Sequence, residues 1–153
     1  MNKLCVLQKL QKVEYDPWPH IVIEDALPQK EHDELLATLP SDRLDQQEPR
    51  DHHNKLTWQA KDVIAEKQPI SDIWQEFIAY HLSREFFDKV LDVFEPVSKK
   101  MIITKENITL FDRYESKNNR PNCYTDFSFV KHPPINNVSN RTPHTDNQKE
   151  IYA

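Results

Sequence analysis

The chain has 153 residues, a length that suits one folded domain, with 37% hydrophobic residues, 29% charged residues and a net charge of −5. Because no basic stripe accompanies this balance, nucleic acid is not expected as the main partner. The absence of glycine excludes the Gly-rich loops of Walker A and dinucleotide-binding motifs. Backbone positions that need a positive φ must therefore use Asn or Asp.

Cysteine usage and hydropathy indicate in which cellular compartment the protein is expected. Cys5 and Cys123 form no C-x-x-C motif. The chain begins without a hydrophobic signal segment and has no apolar run near the roughly 18 residues of a membrane span. These features favour a reduced, cytoplasmic location and no membrane partner.

Residues 1–99 are predicted to form a mainly helical layer preceded by one short strand. The run from Pro17 to Ile23 has the β-branched composition of an extended segment. A helix is predicted from residues 26–28 to about Leu39, with an apolar stripe of Leu35, Leu36 and Leu39, ended by Pro40. Residues 41–68 lack periodicity and are expected to be irregular. Their Asp51-His52-His53 run is either a metal-ligand candidate or a solvated loop.

The strongest helical periodicity covers residues 70–95. Ser71 is the predicted N-cap of a first helix, and a second helix starts near Ser83 and stops before Pro96. Apolar residues repeat at helical spacing and favour a core rather than a ligand-binding box; they are Ile73, Trp74, Phe77, Ile78, Leu82, Phe86, Phe87, Val90, Leu91 and Phe94. His81 lies at the junction and is interpreted as a polar boundary residue.

The period changes to two in residues 100–130. Residues 107–115 and the run from Tyr124 to Val130 each alternate as strands do, and the Asn-rich stretch at 117–121 between them is typical of a turn. We expect the two strands to pair antiparallel. In the second strand, Thr125, Phe127 and Phe129 share one face.

The segment 141–147 contains an H-x-D pair, His144 and Asp146. If Thr145 is extended, both side chains project from one face, where an imidazole and a carboxylate supply two of the three ligands of a facial triad for Fe(II). With 7 His and 13 Asp, chance alone gives about 0.6 such pairs per chain, so a surface His beside a turn Asp is the alternative. His132, in a Pro-rich loop, is a further ligand candidate.

The run from Arg141 to Ala153 resembles the first metal-ligand segment of the Fe(II)/2-oxoglutarate-dependent dioxygenases, most closely bacterial and phage oxygenases. The N-terminal strand and helix resemble the same family more loosely. The resemblance implies that His144 and Asp146 bind Fe(II), that 2-oxoglutarate is the co-substrate, and that the fold is α+β. Its helices would pack on part of a double-stranded β-helix, or jelly roll. It implies pocket positions at Arg141, Asn147 and Tyr124.

The family's third ligand is a distal His, followed by a basic residue that binds 2-oxoglutarate, and neither has a position after Asp146 in this chain. The resemblance therefore implies that residues 1–153 form one incomplete oxygenase-like domain lacking the C-terminal strands. Residues 1–99 would form the outer helical layer and residues 100–153 the first strands of the jelly roll. Exposed strand edges in such a fold would favour self-association.

Two other functions stay open from the sequence. The chain is either an oxygenase segment or a non-catalytic α+β remnant or binding module without the distal His and the basic residue. A zinc hydrolase that uses His144 and Asp146 is a third reading without a motif behind it. The substrate class is not encoded in the segments that carry the resemblance.

Overall fold

The computed structural model describes residues 2–9, 12–48, 55–59, 63, 70–100, 104–106, 108, 110–112 and 123–132. These residues form an α+β arrangement of short helices and two two-stranded sheets. The helices are α1 (Gln29–Ala37), α2 (Ser41–Asp45), α3 (Asp72–His81), α4 (Arg84–Val93) and α5 (Glu95–Lys100). The strands are β1 (Leu56–Gln59), β2 (Leu110–Asp112), β3 (Cys123–Thr125) and β4 (Ser128–Lys131).

The predicted helix over residues 26–39 is confirmed as α1, but its predicted apolar stripe is wrong. Leu35 is buried, whereas Leu36 is 63% exposed and Leu39 is 40% exposed. Leu36 lies a further 100° around the helix from Leu35, and Leu39 lies beyond the last helical residue, Ala37. Consequently Leu35 is the residue of the predicted stripe that α1 contributes to the core.

Helices α3 and α4 confirm the strongest prediction of the sequence. Ser83 has an extended backbone, and its hydroxyl accepts a hydrogen bond from the Phe86 amide at 3.2 Å, as an N-cap residue does. Ser71 precedes α3, but its hydroxyl instead donates to the Thr38 hydroxyl at 2.9 Å. Pro96 lies in the first turn of α5, where its missing N–H costs no helical hydrogen bond.

Helix α3 is the centre of the core because three clusters of buried side chains meet it on different sides. Ile78 packs in the cluster beneath the sheet, Tyr80 packs against α4 and the N-terminal segment, and Ile73 packs against α1. The Trp74 indole N–H also donates to the Leu35 carbonyl at 3.0 Å, which ties α3 to α1. The clusters comprise Leu44, Trp58, Val63, Ile78 and Phe129; Cys5, Tyr80, Phe86 and Val90; and Leu4, Leu35 and Ile73.

The sheets differ from the predicted antiparallel pair of neighbouring strands. β2 and β3 do pair, with Leu110 opposite Cys123, but they run parallel. The antiparallel partner of β4 is β1, with Trp58 opposite Phe129. Alternation assigns side chains to faces but carries no information on strand direction, and the ten residues between β2 and β3 exceed a tight hairpin turn.

β1 and α2 lie in the range that was expected to be irregular, so this expectation is wrong at both elements. β1 has four residues, too few for a periodicity signal, and its partner β4 lies about seventy residues away along the chain. Tertiary packing rather than local pattern therefore defines β1. Its Trp58 is completely buried.

The predicted strand from Tyr124 to Val130 is divided into β3 and β4 at Asp126 and Phe127. The Asp126 carboxylate accepts a hydrogen bond from the Phe127 amide at 2.9 Å, a local bond that competes with ladder pairing. The predicted faces are nevertheless confirmed. Thr125 and Phe129 are buried and Phe127 packs against the core, while Asp126 is exposed.

The N-terminal prediction is confirmed only in part. Glu14 and His20 form an isolated antiparallel bridge with two backbone hydrogen bonds of 2.9 Å, and residues 21–23 form no strand. Among the described residues, no strand pairs with residues 21–23. Asp25 adopts a φ of 49°, which confirms that Asp takes a backbone position usually favouring glycine.

Within the described ranges, the helices are too short and too polar for any of them to cross a bilayer.

Candidate functional site

The predicted metal ligands His144 and Asp146 lie outside the described residues, as do the pocket candidates Arg141 and Asn147. Tyr124 lies in the middle of β3, opposite Phe111 of β2, so its backbone position is defined. The arrangement of the ligand pair and of the pocket candidates therefore remains a prediction from the sequence.

The described element nearest to the ligand pair along the chain is β4, and several contacts fix its position. Phe129 stacks on the fully buried Trp58 with ring centroids 5.8 Å apart. Trp74 of α3 meets the same Phe129 edge-on at 4.9 Å. At the end of the strand, the Lys131 ammonium pairs with Asp45 of α2. The contacts of Phe129 and Lys131 therefore fix β4 against the core, and β4 precedes the segment that contains His144.

The other histidines singled out in the sequence fall into two groups. His52 and His53, with Asp51, lie outside the described residues. His132 is exposed and directly follows β4. His20 lies at the bridge to Glu14, and His32 contacts the neighbouring Asp33 carboxylate at 3.2 Å on the exposed face of α1. That contact lowers the pKa of Asp33, together with the Gln29 amide.

The described ranges contain no cluster of three or more His, Cys, Asp or Glu side chains with the geometry to hold a metal ion. The candidate ligand pair stands outside those ranges, so this finding leaves it untouched.

A polar network that the sequence did not predict joins α3, α4 and the N-terminal segment. The Lys89 ammonium donates to the Tyr80 hydroxyl at 2.6 Å and to the Glu85 carboxylate at 3.0 Å. The same ammonium lies 5.3 Å from the centre of the Tyr80 ring. Cys5 is buried in the same cluster as Tyr80.

The network shifts the titration of its members in directions that its geometry explains. Burial raises the pKa of Tyr80, and the Cys5 contact raises it further against the opposing effect of Lys89. The Tyr80 hydroxyl and the Glu85 carboxylate hold the pKa of Lys89 far above its usual value, and Lys89 lowers that of Glu85. A lysine held this firmly in its charged form is a poor nucleophile or base, so the network is a structural link between the helices.

Part of this network was accessible from the sequence. Glu85 and Lys89 are four residues apart on one helix, a spacing that brings side chains together. Tyr80 and Cys5 join them only because the joint between α3 and α4 folds back, and no spacing rule predicts that contact.

His81 ends α3, and its environment is more apolar than its predicted role as a boundary residue implied. Its ring centroid lies 4.0 Å from that of Phe77 and 4.4 Å from that of Phe86. Its Nδ1 atom is 2.8 Å from the Phe77 carbonyl oxygen, while Nε2 is buried without a hydrogen-bond partner in the described part of the chain. Burial lowers the pKa of His81, and the Phe77 carbonyl opposes this effect more weakly.

Comparison of the chain with protein-family models, curated proteins and solved structures finds no match.

Proposed function

We propose that this chain carries the first metal-ligand segment of an Fe(II)/2-oxoglutarate-dependent dioxygenase. The observation that carries the proposal is the pair His144 and Asp146 in the run Arg141–Asn147, with the resemblance of that run to the family. An imidazole and a carboxylate on one face are the ligand types that a mononuclear ferrous site uses.

The described fold supports the proposal at a coarser level. Helix α3 packs on one face of the β1–β4 pair through Trp74 and Phe129, whose ring centroids are 4.9 Å apart. Val130, the next residue of β4, is 39% exposed on the other side. A helical layer on one side of antiparallel strands is the packing that the family resemblance implies, although β1 comes from the range expected to be helical.

In this proposal each residue of the segment has a defined part. The His144 imidazole and the Asp146 carboxylate would hold the metal together with a second histidine as the third ligand, and Arg141, Asn147 and Tyr124 would contribute to the pocket wall. Iron held there would supply the oxidising chemistry that couples decarboxylation of 2-oxoglutarate to hydroxylation of a substrate C–H bond. The polypeptide supplies ligation, orientation of the substrate and exclusion of water.

Ferrous binding by the 153-residue chain tests the ligand assignment. Fe(II) is titrated anaerobically into the wild type and into His144→Ala, Asp146→Ala and His132→Ala. The first two changes each remove a proposed ligand, so we expect affinity to fall by more than about tenfold. His132→Ala tests the alternative ligand candidate: it removes an exposed imidazole twelve residues from His144, and the proposal predicts that the affinity stays unchanged.

The titration has two outcomes that contradict the assignment. One is equal affinity in the wild type and the His144 and Asp146 variants. The other is no ferrous binding by the wild type. Loss of binding in His132→Ala alone would place the site elsewhere on the chain.

Turnover separates a dioxygenase from a binding module. Succinate formation from 2-oxoglutarate is measured under air with saturating Fe(II), with Asp146→Ala as the blank. Iron-dependent succinate that disappears in Asp146→Ala supports the catalytic function. Iron binding without succinate supports the non-catalytic module, for which the metal site would serve only structure or binding.

A further inference from the structure

The joint between α3 and α4 contains an imidazole with an unusual hydrogen-bonding state. A carbonyl oxygen can only accept, so the 2.8 Å contact between His81 Nδ1 and the Phe77 oxygen requires a proton on Nδ1. Nε2, the other ring nitrogen, is buried and has no partner within the described ranges. His81 is therefore held as the neutral Nδ1–H tautomer, and a second proton would create a charge with a buried, unpaired N–H group.

Aromatic rings surround His81. Phe77, Tyr80 and Phe86 contact the imidazole, with ring centroids 4.0, 5.4 and 4.4 Å away. The titratable groups of the surrounding elements are engaged with other partners. In α3 and α4, Tyr80 contacts Lys89, Arg84 pairs with Asp88, and Lys89 pairs with Glu85. Outside these helices, Cys5 of the N-terminal segment interacts with Tyr80, and Asp126 after β3 accepts from the Phe127 amide.

The joint also connects the helices to the strands. The Leu82 carbonyl, next to His81, accepts a hydrogen bond from the Thr125 hydroxyl of β3 at 3.1 Å. Two residues further on, the Arg84 guanidinium donates to the Ile108 carbonyl at 3.0 Å. Movement at this joint therefore reaches the segment before β2 and the end of β3.

We propose that His81 is an acid-sensitive latch of the α3–α4 joint. In its neutral form the ring closes the joint, and protonation under mildly acidic conditions drives the ring toward water and opens it. Opening weakens the Leu82–Thr125 link, so the helical layer loosens its hold on β3. This inference does not depend on the proposed metal site.

The direction of the pH dependence follows from where the proton binds. In the unfolded chain His81 titrates near its ordinary pKa of 6.5, and burial places its pKa in the folded chain below that value. The unfolded chain therefore binds more protons, and stability is complete above about pH 6.5 and is lost progressively as pH falls. Each unit by which the folded pKa is lowered reduces the folding equilibrium constant by up to about tenfold at low pH.

Urea denaturation between about pH 7.5 and pH 5 tests the latch, with His81→Phe compared with the wild type. Phenylalanine retains a ring among the aromatic neighbours and cannot titrate. We expect the folding constant of the wild type to fall more steeply with acidification than that of His81→Phe. His32→Gln is the matched control, because it removes a histidine whose side chain is 57% exposed, and it should retain the wild-type slope.

Histidine ring titration by NMR of the wild type gives an independent readout, which also decides the matter if His81→Phe fails to fold. We expect a His81 pKa below 6.5, and weaker protection of the Leu82 and Ser83 amides from exchange on acidification, measured relative to their intrinsic exchange rates at each pH. A His81 pKa at or above 6.5 would overturn the latch. Identical pH slopes in the wild type and His81→Phe would also overturn it.

Discussion

Trp58 and Trp18 have opposite environments although both lie in short, non-helical stretches. Trp58 is completely buried in β1 and stacks on Phe129, whereas Trp18 is 66% exposed beside the Glu14–His20 bridge. Residue pattern alone did not distinguish their environments, because β1 lies in a range without periodicity. Burial at this scale comes from pairing with β4, a contact between distant parts of the chain.

The exposure of these two residues predicts very different stabilities of their alanine variants. Removing the Trp58 indole leaves a large cavity under the sheet, so Trp58→Ala should lower the free energy of unfolding by about 3–5 kcal/mol. Trp18→Ala removes a side chain already in water and should change it by less than about 0.5 kcal/mol. Urea denaturation followed by far-UV circular dichroism measures both. Similar losses in the two variants would contradict the burial of Trp58.

At the scale of single elements, helices were predictable and strand pairing was not. The spacing of apolar residues in α3 and α4, with serines before each helix, is local information that the sequence displays directly. Strand partners are set by contacts across many residues, so the β1–β4 pair was missed and the β2–β3 pair was assigned the wrong direction. The break at Asp126 depends on one side-chain hydrogen bond, which alternation does not reveal.

The two serines that precede α3 and α4 should differ in their effect on stability. Ser83 accepts from the Phe86 amide at 3.2 Å and donates to the Tyr80 carbonyl at 2.6 Å, so it closes both ends of the joint. Ser83→Ala should therefore cost about 1 kcal/mol. Ser71 makes no capping bond and should cost less when changed to Ala. Thermal unfolding of both variants provides the comparison, and a larger loss for Ser71→Ala would refute the assignment of the caps.

At the scale of the whole molecule, the described sheets are small. Each described strand pairs with one other described strand. Two-stranded sheets gain little stability alone and depend on the helices packed against them. The fold class was predictable as α+β, whereas completion of these strands into a jelly roll stays a prediction.

An incomplete jelly roll would leave strand edges exposed and therefore predicts self-association of the 153-residue chain. Unpaired N–H and C=O groups can bond to a second copy, and the exposed Val130 of β4 adds apolar surface. Sedimentation velocity over a wide concentration range should show mass increasing with concentration. Val130→Lys places a charge on the exposed face of β4 and should reduce this association. A monodisperse wild-type monomer that unfolds cooperatively would argue against the incomplete-domain interpretation.

The candidate site was predictable from the sequence to a different extent than the fold. His144 and Asp146 were identified from residue type, spacing and family resemblance, and they lie outside the described residues, so their geometry is untested. The Tyr80–Lys89 network and the apolar surroundings of His81 were found only in the structure. Both arise where α4 folds back beside α3, a tertiary feature without a sequence signature.

The assignment of His144 as a metal ligand is tested most directly by NMR of the seven histidine rings during a substoichiometric titration with paramagnetic Fe(II). Line broadening falls steeply with distance from the ion, so a ligand imidazole loses its signal first. We expect the His144 signal, assigned with His144→Ala, to disappear at the lowest iron concentration and to persist when Asp146 is changed to Ala. First broadening of His52, His53 or His132, with His144 unaffected, would contradict it.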